Sequence, residues 1–433
     1  MQIDLSGFHG TCNCGRTHEI FVKDILIEEN ALKKLPDKIK NIHKGSNSSI
    51  AVICDTNTYQ TAGKLIEKLL PESEFVILPA SELRADNTGL ALAKKGLLAS
   101  GNTELIIAAG SCTIHEISRY LAKEFCIPFV SVPTAASGDS YASPVSVINW
   151  NGFKKVTPGV SPVLVVADTL IFAKAPYRLT AAGISAMLGK YTAITDWEIS
   201  HMVTGEYICN RVCEMEMAAL KDICLCINDL KGDMKEAGTI EAYEKLIYAL
   251  LLSGVTMQMV GSSRFEGRML SQISDFQDIE TGDTSLDVNH GEKFSLGLMM
   301  AVHTYHKIKA SIKNGIYKAI PYDSIAYNII EEGFRKKNGY DEISVAEVQE
   351  ESFELLAESK SGSQRPSIAG VLDKLPSEAE LIKLMTAAGC KNKESDMKST
   401  DIWSPITLRL VPYVRNRVEL IRHSKLFKMK NET

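Results

Sequence analysis

Ile127-Pro128-Phe129-Val130-Ser131-Val132 runs directly into Pro133-Thr134-Ala135-Ala136-Ser137-Gly138-Asp139-Ser140-Tyr141-Ala142-Ser143-Pro144. The first half is a short apolar run of strand length, as expected of a strand buried in a parallel sheet. The second half is crowded with hydroxyls, small side chains and a single carboxylate. At the carboxyl end of a parallel strand, such a loop offers hydroxyls, backbone N–H groups and Asp139 to a ligand. A small-residue turn between two core elements is the plainer alternative.

Upstream, apolar runs alternate with helical stretches. Ser49 to Cys54 predicts a strand ending in Asp55-Thr56-Asn57, a helix-starting cluster. A helix to about Leu70, a strand over Glu74 to Leu78 and a helix over Asn87 to Ser100 follow. Leu105 to Ala109 predicts the next strand, running into Gly110-Ser111-Cys112-Thr113 and a helix through Lys123. Val163 to Val166 closes the series downstream. Strands alternating with helices of this length predict a parallel sheet with right-handed crossovers. The polar clusters at Asp55, at Gly110 and at Pro133 to Pro144 then share the carboxyl ends of the strands.

After Pro176 the pattern changes to helical periodicity. Thr180 to His201, Tyr207 to Leu230, Ile240 to Ser262, Lys293 to Lys313, Val345 to Glu358 and Glu378 to Ala388 all predict helices. The expected organisation is an α/β domain over residues 1–175 and an all-α domain over residues 176–433. Gln277 to Asn289, Ser359 to Pro366 and Cys390 to Thr400 read as polar interruptions, the last before a final helix.

Two domains also suit a chain of 433 residues. Apolar content of 45% and charged content of 23% are ordinary for a globular protein. The net charge of −5 gives no reason to expect nucleic acid or a membrane surface as a partner. No apolar run approaches the ~18 residues of a membrane span, and the first residues lack the pattern of a signal peptide. Ten cysteines scattered without a framework suit reduced thiols in a cytoplasm. Cys12, Cys14 and His18 raise a zinc reading, with His9 as a conceivable fourth ligand. However, Cys-x-Cys is tighter than the usual spacing and no second cysteine pair lies nearby, so an ordinary N-terminal β-segment is expected.

Gly110-Ser111-Cys112-Thr113 leaves a strand and opens a helix, where small residues let backbone N–H groups approach a pyrophosphate. Asp55 can accept ribose hydroxyls or serve as a helix N-cap. Together the two clusters favour a dinucleotide over either alternative alone. His290, in Asn289-His290-Gly291-Glu292-Lys293, stands at a helix start as a ligand or a structural hydrogen-bonder.

These segments, with GISAMLGKYTAITDWEISHMVTGEY, GSSR, CNCGRTH and VPYVRNRVEL, resemble the sn-glycerol-1-phosphate dehydrogenases. The closer likeness is to the bacterial type associated with arabinose operons, within the iron-containing alcohol dehydrogenase and dehydroquinate synthase superfamily. The resemblance implies a dehydroquinate synthase-like fold, NAD or NADP as cofactor and a small phosphorylated ketone as substrate. It also implies a zinc or nickel ion that polarises the carbonyl while the nicotinamide delivers hydride. A cytoplasmic homo-oligomer is expected.

Carried onto this sequence, the cofactor segments fall on Gly110, Ser111, Cys112, Thr113 and Ile114, and on Thr134 to Ser137 with Ser143. Asp139 takes the place of the substrate-contacting aspartate. The metal site departs from the family pattern. Ala186 stands where the family has its Asp ligand and Ser271 where it has its first His, which leaves His290. Asp275 replaces a substrate-contacting His, and Cys112, His115 and Glu116 replace Gly, Asn and Asp of the nucleotide loop. A tight catalytic metal is therefore not expected. Lys190, His290 or Arg264 are the groups left to stabilise a developing alkoxide. A homologue that binds a nucleotide or phosphorylated metabolite without turnover, or runs another metal-independent reaction, is the alternative.

Overall fold

The computed structural model describes residues 3–81, 83–150, 153–265, 290–314, 365–390 and 420. By packing, the chain divides into two compact units: Met1–Met187 with Arg211–Ser263, and Leu188–Asn210 with Arg264–Thr433. The change of character expected after residue 175 is visible in the order of elements. Compact packing follows another line, because helices Tyr177–Leu188, Asn210–Cys226 and Ala237–Val260 lie largely or wholly with the sheet.

A small antiparallel ladder, β1 (Gly10–Thr11) with β2 (Thr17–His18), opens the first unit. Its main sheet comprises β3 (Asp24–Glu28), β4 (Ile50–Asp55), β5 (Glu74–Leu78), β6 (Leu105–Gly110), β7 (Phe129–Pro133) and β10 (Leu164–Asp168). The order across the sheet is β3-β10-β7-β6-β4-β5, with every neighbouring pair parallel. The chain steps outward from β4 to β5, returns to the far side of β4 as β6, and continues through β7 to β10. The order therefore reverses between β4 and β6, which opens a crevice at the carboxyl ends of those two strands.

Alternation along the buried strands supplies two core layers. Ile50, Val52, Cys54, Leu105, Ile107 and Ala109 pack on one face with helix Leu35–Ile42 and the helical turns after β4. Ala51, Ile53, Ile106 and Ala108 pack on the other with helices Asn87–Ala99 and Cys112–Glu124. Both faces are covered, which is why these strands read as unbroken apolar runs. The hairpin of β8 (Val145–Trp150) and β9 (Phe153–Pro158), inserted between β7 and β10, was not among the expected elements.

The stretch expected as one helix over Thr180 to His201 is two, Tyr177–Leu188 and Lys190–Thr204, broken at Gly189. In the second unit, Asp196 is buried in helix Lys190–Thr204. It accepts hydrogen bonds from Tyr305 Oη at 2.8 Å and from the Leu420 N–H at 2.9 Å. Trp197 stacks on Phe265, with ring centroids 5.7 Å apart. Helix Glu378–Ala388 has the bounds expected from its sequence, and a capping box of Ser377 and Glu380 starts it. The expected helix over Val345 to Glu358, the loop over Gln277 to Asn289 and the final helix lie outside the described residues. No helix among the described residues is long and apolar enough to cross a membrane.

Candidate nucleotide and substrate site

Helices that follow sheet strands begin in two different ways here. After β4 and β10, an aspartate caps the helix: Asp55 Oδ1 accepts from the N–H groups of Asn57 and Thr58, and Asp168 Oδ1 from that of Leu170. After β6, Ser111 is the N-cap of helix Cys112–Glu124, and its side chain makes no capping bond. The first intrahelical bond runs from the His115 N–H to the Ser111 carbonyl at 3.2 Å. The N–H groups of Cys112, Thr113 and Ile114 therefore have no acceptor within the helix. They sit at its positive end, beside the crevice at the strand-order reversal.

Gly110 ends β6 because a side chain there would meet Ile114 at 2.6 Å. Its carbonyl accepts the Thr134 N–H at 3.0 Å, so the two candidate cofactor segments are joined where they leave neighbouring strands.

The Pro133 to Pro144 loop is held from within by a hydroxyl chain. Tyr141 Oη donates to the Ala135 carbonyl at 2.6 Å, so it accepts from Ser137 Oγ at 2.9 Å. With the Ser137 proton so committed, the Cys112 thiol, 3.4 Å from Ser137 Oγ, is the donor. Burial pushes both the Cys112 thiol and the Tyr141 phenol up from their ordinary values, keeping them protonated. The side chain of Cys112 is accommodated by Gly138, where a Cβ would stand 2.9 Å from its Sγ.

Behind the loop, His115 Nδ1 lies 3.0 Å from the Ser111 carbonyl and Nε2 2.8 Å from Ser131 Oγ. A carbonyl only accepts, so Nδ1 carries the proton and Nε2 accepts from Ser131. Burial first, and the Arg119 charge after it, hold the ring at a pKa of about 3, so it is neutral. Glu116 and Arg119, both buried, form an ion pair at 3.1 Å. Glu116 also accepts from Ser140 Oγ at 2.8 Å and the Val147 N–H at 2.7 Å, while Arg119 donates to the carbonyls of Val145 and Ser140. Asp139, itself 6% exposed, is thus carried between two anchored serines, Ser137 and Ser140.

Sequence reasoning placed His115 and Glu116 as departures from a pattern. Their spacing with Arg119 along one helix face, at i, i+1 and i+4, was the signal that they act together. Two helices approach the loop through glycines. A Cβ on Gly183 would lie 2.1 Å from the Ala136 carbonyl oxygen, and one on Gly254 2.8 Å from Ala142.

The expected site residues fall into three groups. Gly110, Ser111, Cys112, Thr113, Thr134, Ser137 and Asp139 come together at the carboxyl ends of β6 and β7. Three others are placed differently from expectation. The side chain of Ile114 is fully buried and can offer only its N–H. Ser143 is 1% exposed, with its hydroxyl turned back to Val145, so it shapes the loop and has no surface for a cofactor. Asp55 is engaged as an N-cap. In the second unit, Lys190 is fully buried with its ammonium 5.0 Å from the Phe265 ring. His290 begins helix His290–Lys313. Asp275 and Ser271 lie outside the described residues. Ala186, half-buried in helix Tyr177–Leu188, presents a methyl group and no ligand atom.

Residues 26–176 match the family model described as iron-containing alcohol dehydrogenase. A glycerol-1-phosphate dehydrogenase [NAD(P)+] of Bacillus licheniformis is 34% identical over 308 residues, 69% of this chain and 74% of that protein. One of the same name from Thermococcus sibiricus is 29% identical over 67% of this chain and 81% of its own length. Among solved structures, an archaeal halo-thermophilic Red Sea brine pool alcohol dehydrogenase superposes with a TM-score of 0.60. The match covers 94% of this chain and 98% of that one at 14% identity, a likeness of fold.

Proposed function

The chain belongs to the glycerol-1-phosphate dehydrogenase family, and on that footing we propose that it reduces dihydroxyacetone phosphate to glycerol 1-phosphate with NADH or NADPH. The observation that supports this most strongly is the uncapped start of helix Cys112–Glu124, beside the strand-order reversal and tied to the Thr134 loop. These residues fit a dinucleotide. The N–H groups of Cys112, Thr113 and Ile114 would hold the pyrophosphate, Gly110 keeps the approach open, and Thr134 and Ser137 line the adjoining segment.

When bound, the reduced nicotinamide supplies a hydride to the substrate carbonyl carbon. The protein must then place the phosphorylated ketone and deliver one proton to the carbonyl oxygen. Asp139, held rigidly by its neighbours, is assigned to the substrate hydroxyls. Lys190 and His290, with Asp275, are the groups assigned to protonation. Arg264 suits that role less well, because its Nε is already paired with Glu206 at 2.9 Å.

The remaining donors do not fit the family's catalytic metal. Ala186 has no ligand atom, and one histidine falls short of the three protein ligands a catalytic zinc takes. That same substitution favours a second reading, a homologue that binds the nucleotide without turning substrate over. A cytoplasmic homo-oligomer completes the proposal; all ten cysteines outside disulfides support the compartment.

The deciding measurement is NADH and NADPH oxidation with dihydroxyacetone phosphate, before and after dialysis against a chelator. Turnover that survives chelation is expected. Nucleotide binding without turnover would establish the second reading. Binding of neither nucleotide would remove both.

A further inference from the structure

Cys12, Cys14, His18 and Cys209 present their ligand atoms within 4.8 Å of one another. We propose that these four residues bind a structural zinc ion. The sequence suggested only the first three and a weak spacing. The missing thiolate comes from far along the chain, at the residue before helix Asn210–Cys226. His9, the fourth ligand considered from sequence, is exposed and is not one of the group.

The local fold brings the ligands together. The Cys12 N–H bonds to the Arg16 carbonyl and the Gly15 N–H to the Cys12 carbonyl, both at 3.0 Å, so Cys12 to Arg16 form a tight loop between β1 and β2. Gly15 closes it with φ of +84°, a conformation other residues resist. His18 follows on β2, 1% exposed.

The state of His18 is itself informative. Its Nδ1 lies 2.6 Å from the Met259 carbonyl, which can only accept, so Nδ1 is the protonated nitrogen. That leaves the lone pair on Nε2, which faces Cys14 Sγ at 3.3 Å. A zinc-bound histidine is oriented in the same way, with its second nitrogen donating to a carbonyl.

The spacing also fits. Bond lengths of about 2.3 Å to sulfur and about 2.0 Å to nitrogen put tetrahedral ligands about 3.8 Å and about 3.5 Å apart. Three thiolates and one imidazole fill the tetrahedron, so the ion has no open position for substrate. Its role is to fasten the N-terminal loop, and this site shares no residue with the nucleotide loops or with His290.

The test is made on the full-length protein purified without chelator and supplied with zinc. One zinc per chain is expected, with an X-ray absorption edge fitted by about three sulfur ligands and one nitrogen. Cobalt exchanged into the unaltered protein should show thiolate-to-cobalt charge-transfer absorption, a readout that requires no variant. Cys12→Ser with Cys14→Ser should abolish that absorption, and Cys209→His should retain the metal with two sulfur ligands. No stoichiometric metal, or a metal coordinated only by oxygen and nitrogen, overturns the site. Unchanged zinc content in the folded double variant does the same.

Discussion

His115 shows how one substitution in a nucleotide loop changes the physics around it. Its buried ring is neutral and holds the Ser111 carbonyl, fixing the turn from which the helix N–H groups project. A histidine held at about 3 in the folded chain and near 6.5 when unfolded favours folding most above pH ~6.5. That contribution is lost as pH falls towards 3, at up to about 1.4 kcal/mol per pH unit, because only the unfolded chain takes up the proton. His115→Asn retains a side-chain donor and removes the titration. Urea unfolding from pH 6.5 to 4 should therefore fall less steeply for the variant than for the unaltered protein. Parallel slopes would show that His115 is charged, or exposed, in the folded state. Nothing in a single sequence marks this histidine as buried. Its partner Ser131 sits in an apolar strand, and only the sheet register brings the two together. Cys209 was hidden for a related reason, since its ligand partners are separated from it by most of the first unit.

At the scale of elements, strand-to-helix junctions decide what the sheet can bind. A capped helix start spends its N–H groups on its own side chain, as at Asp55 and Asp168. The uncapped one after β6 keeps three for a ligand. Ser111→Asp separates these uses. Aspartate is a good N-cap and a favourable charge at the helix start, worth about 0.5–1 kcal/mol of stability. The same carboxylate would repel a pyrophosphate at that point. The expected result is a raised melting temperature together with an increase of roughly tenfold or more in KM for NADH, or ~1.4 kcal/mol in binding. If KM is unchanged, the pyrophosphate lies elsewhere. The junctions themselves were legible in the sequence, because apolar runs of strand length ended in small polar clusters each time. The β8–β9 hairpin was not, because its strands are half-buried and mixed in character, and its stability comes from the Glu116 and Arg119 side chains on another element. The break at Gly189 was equally hidden, since helical periodicity carries through a single turn residue.

For the whole molecule, the question is how a family known by its metal-assisted chemistry is represented by a chain with Ala186 in place of a ligand. Two metal inventories follow, and they are independent. The N-terminal Cys3His group predicts one sulfur-bound zinc in the unaltered chain, whatever the state of the family's catalytic position. Restoring that position by Ala186→Asp, Ser271→His and Asp275→His should add a second ion, with oxygen and nitrogen ligands only, beside His290. Two aligned ligands restored next to a resident histidine reach the three protein ligands that a catalytic zinc takes, with the fourth position open. Metal analysis of the triple variant should therefore read about one ion per chain more than the starting protein, and the X-ray absorption spectrum should gain nitrogen and oxygen without gaining sulfur. A count that stays where it began would mean that these three positions do not converge on His290. The family's catalytic site would then have to be sought among other residues of the chain. An added ion that leaves dihydroxyacetone phosphate turnover unchanged would instead show that protonation by the protein's own side chains already carries the reaction.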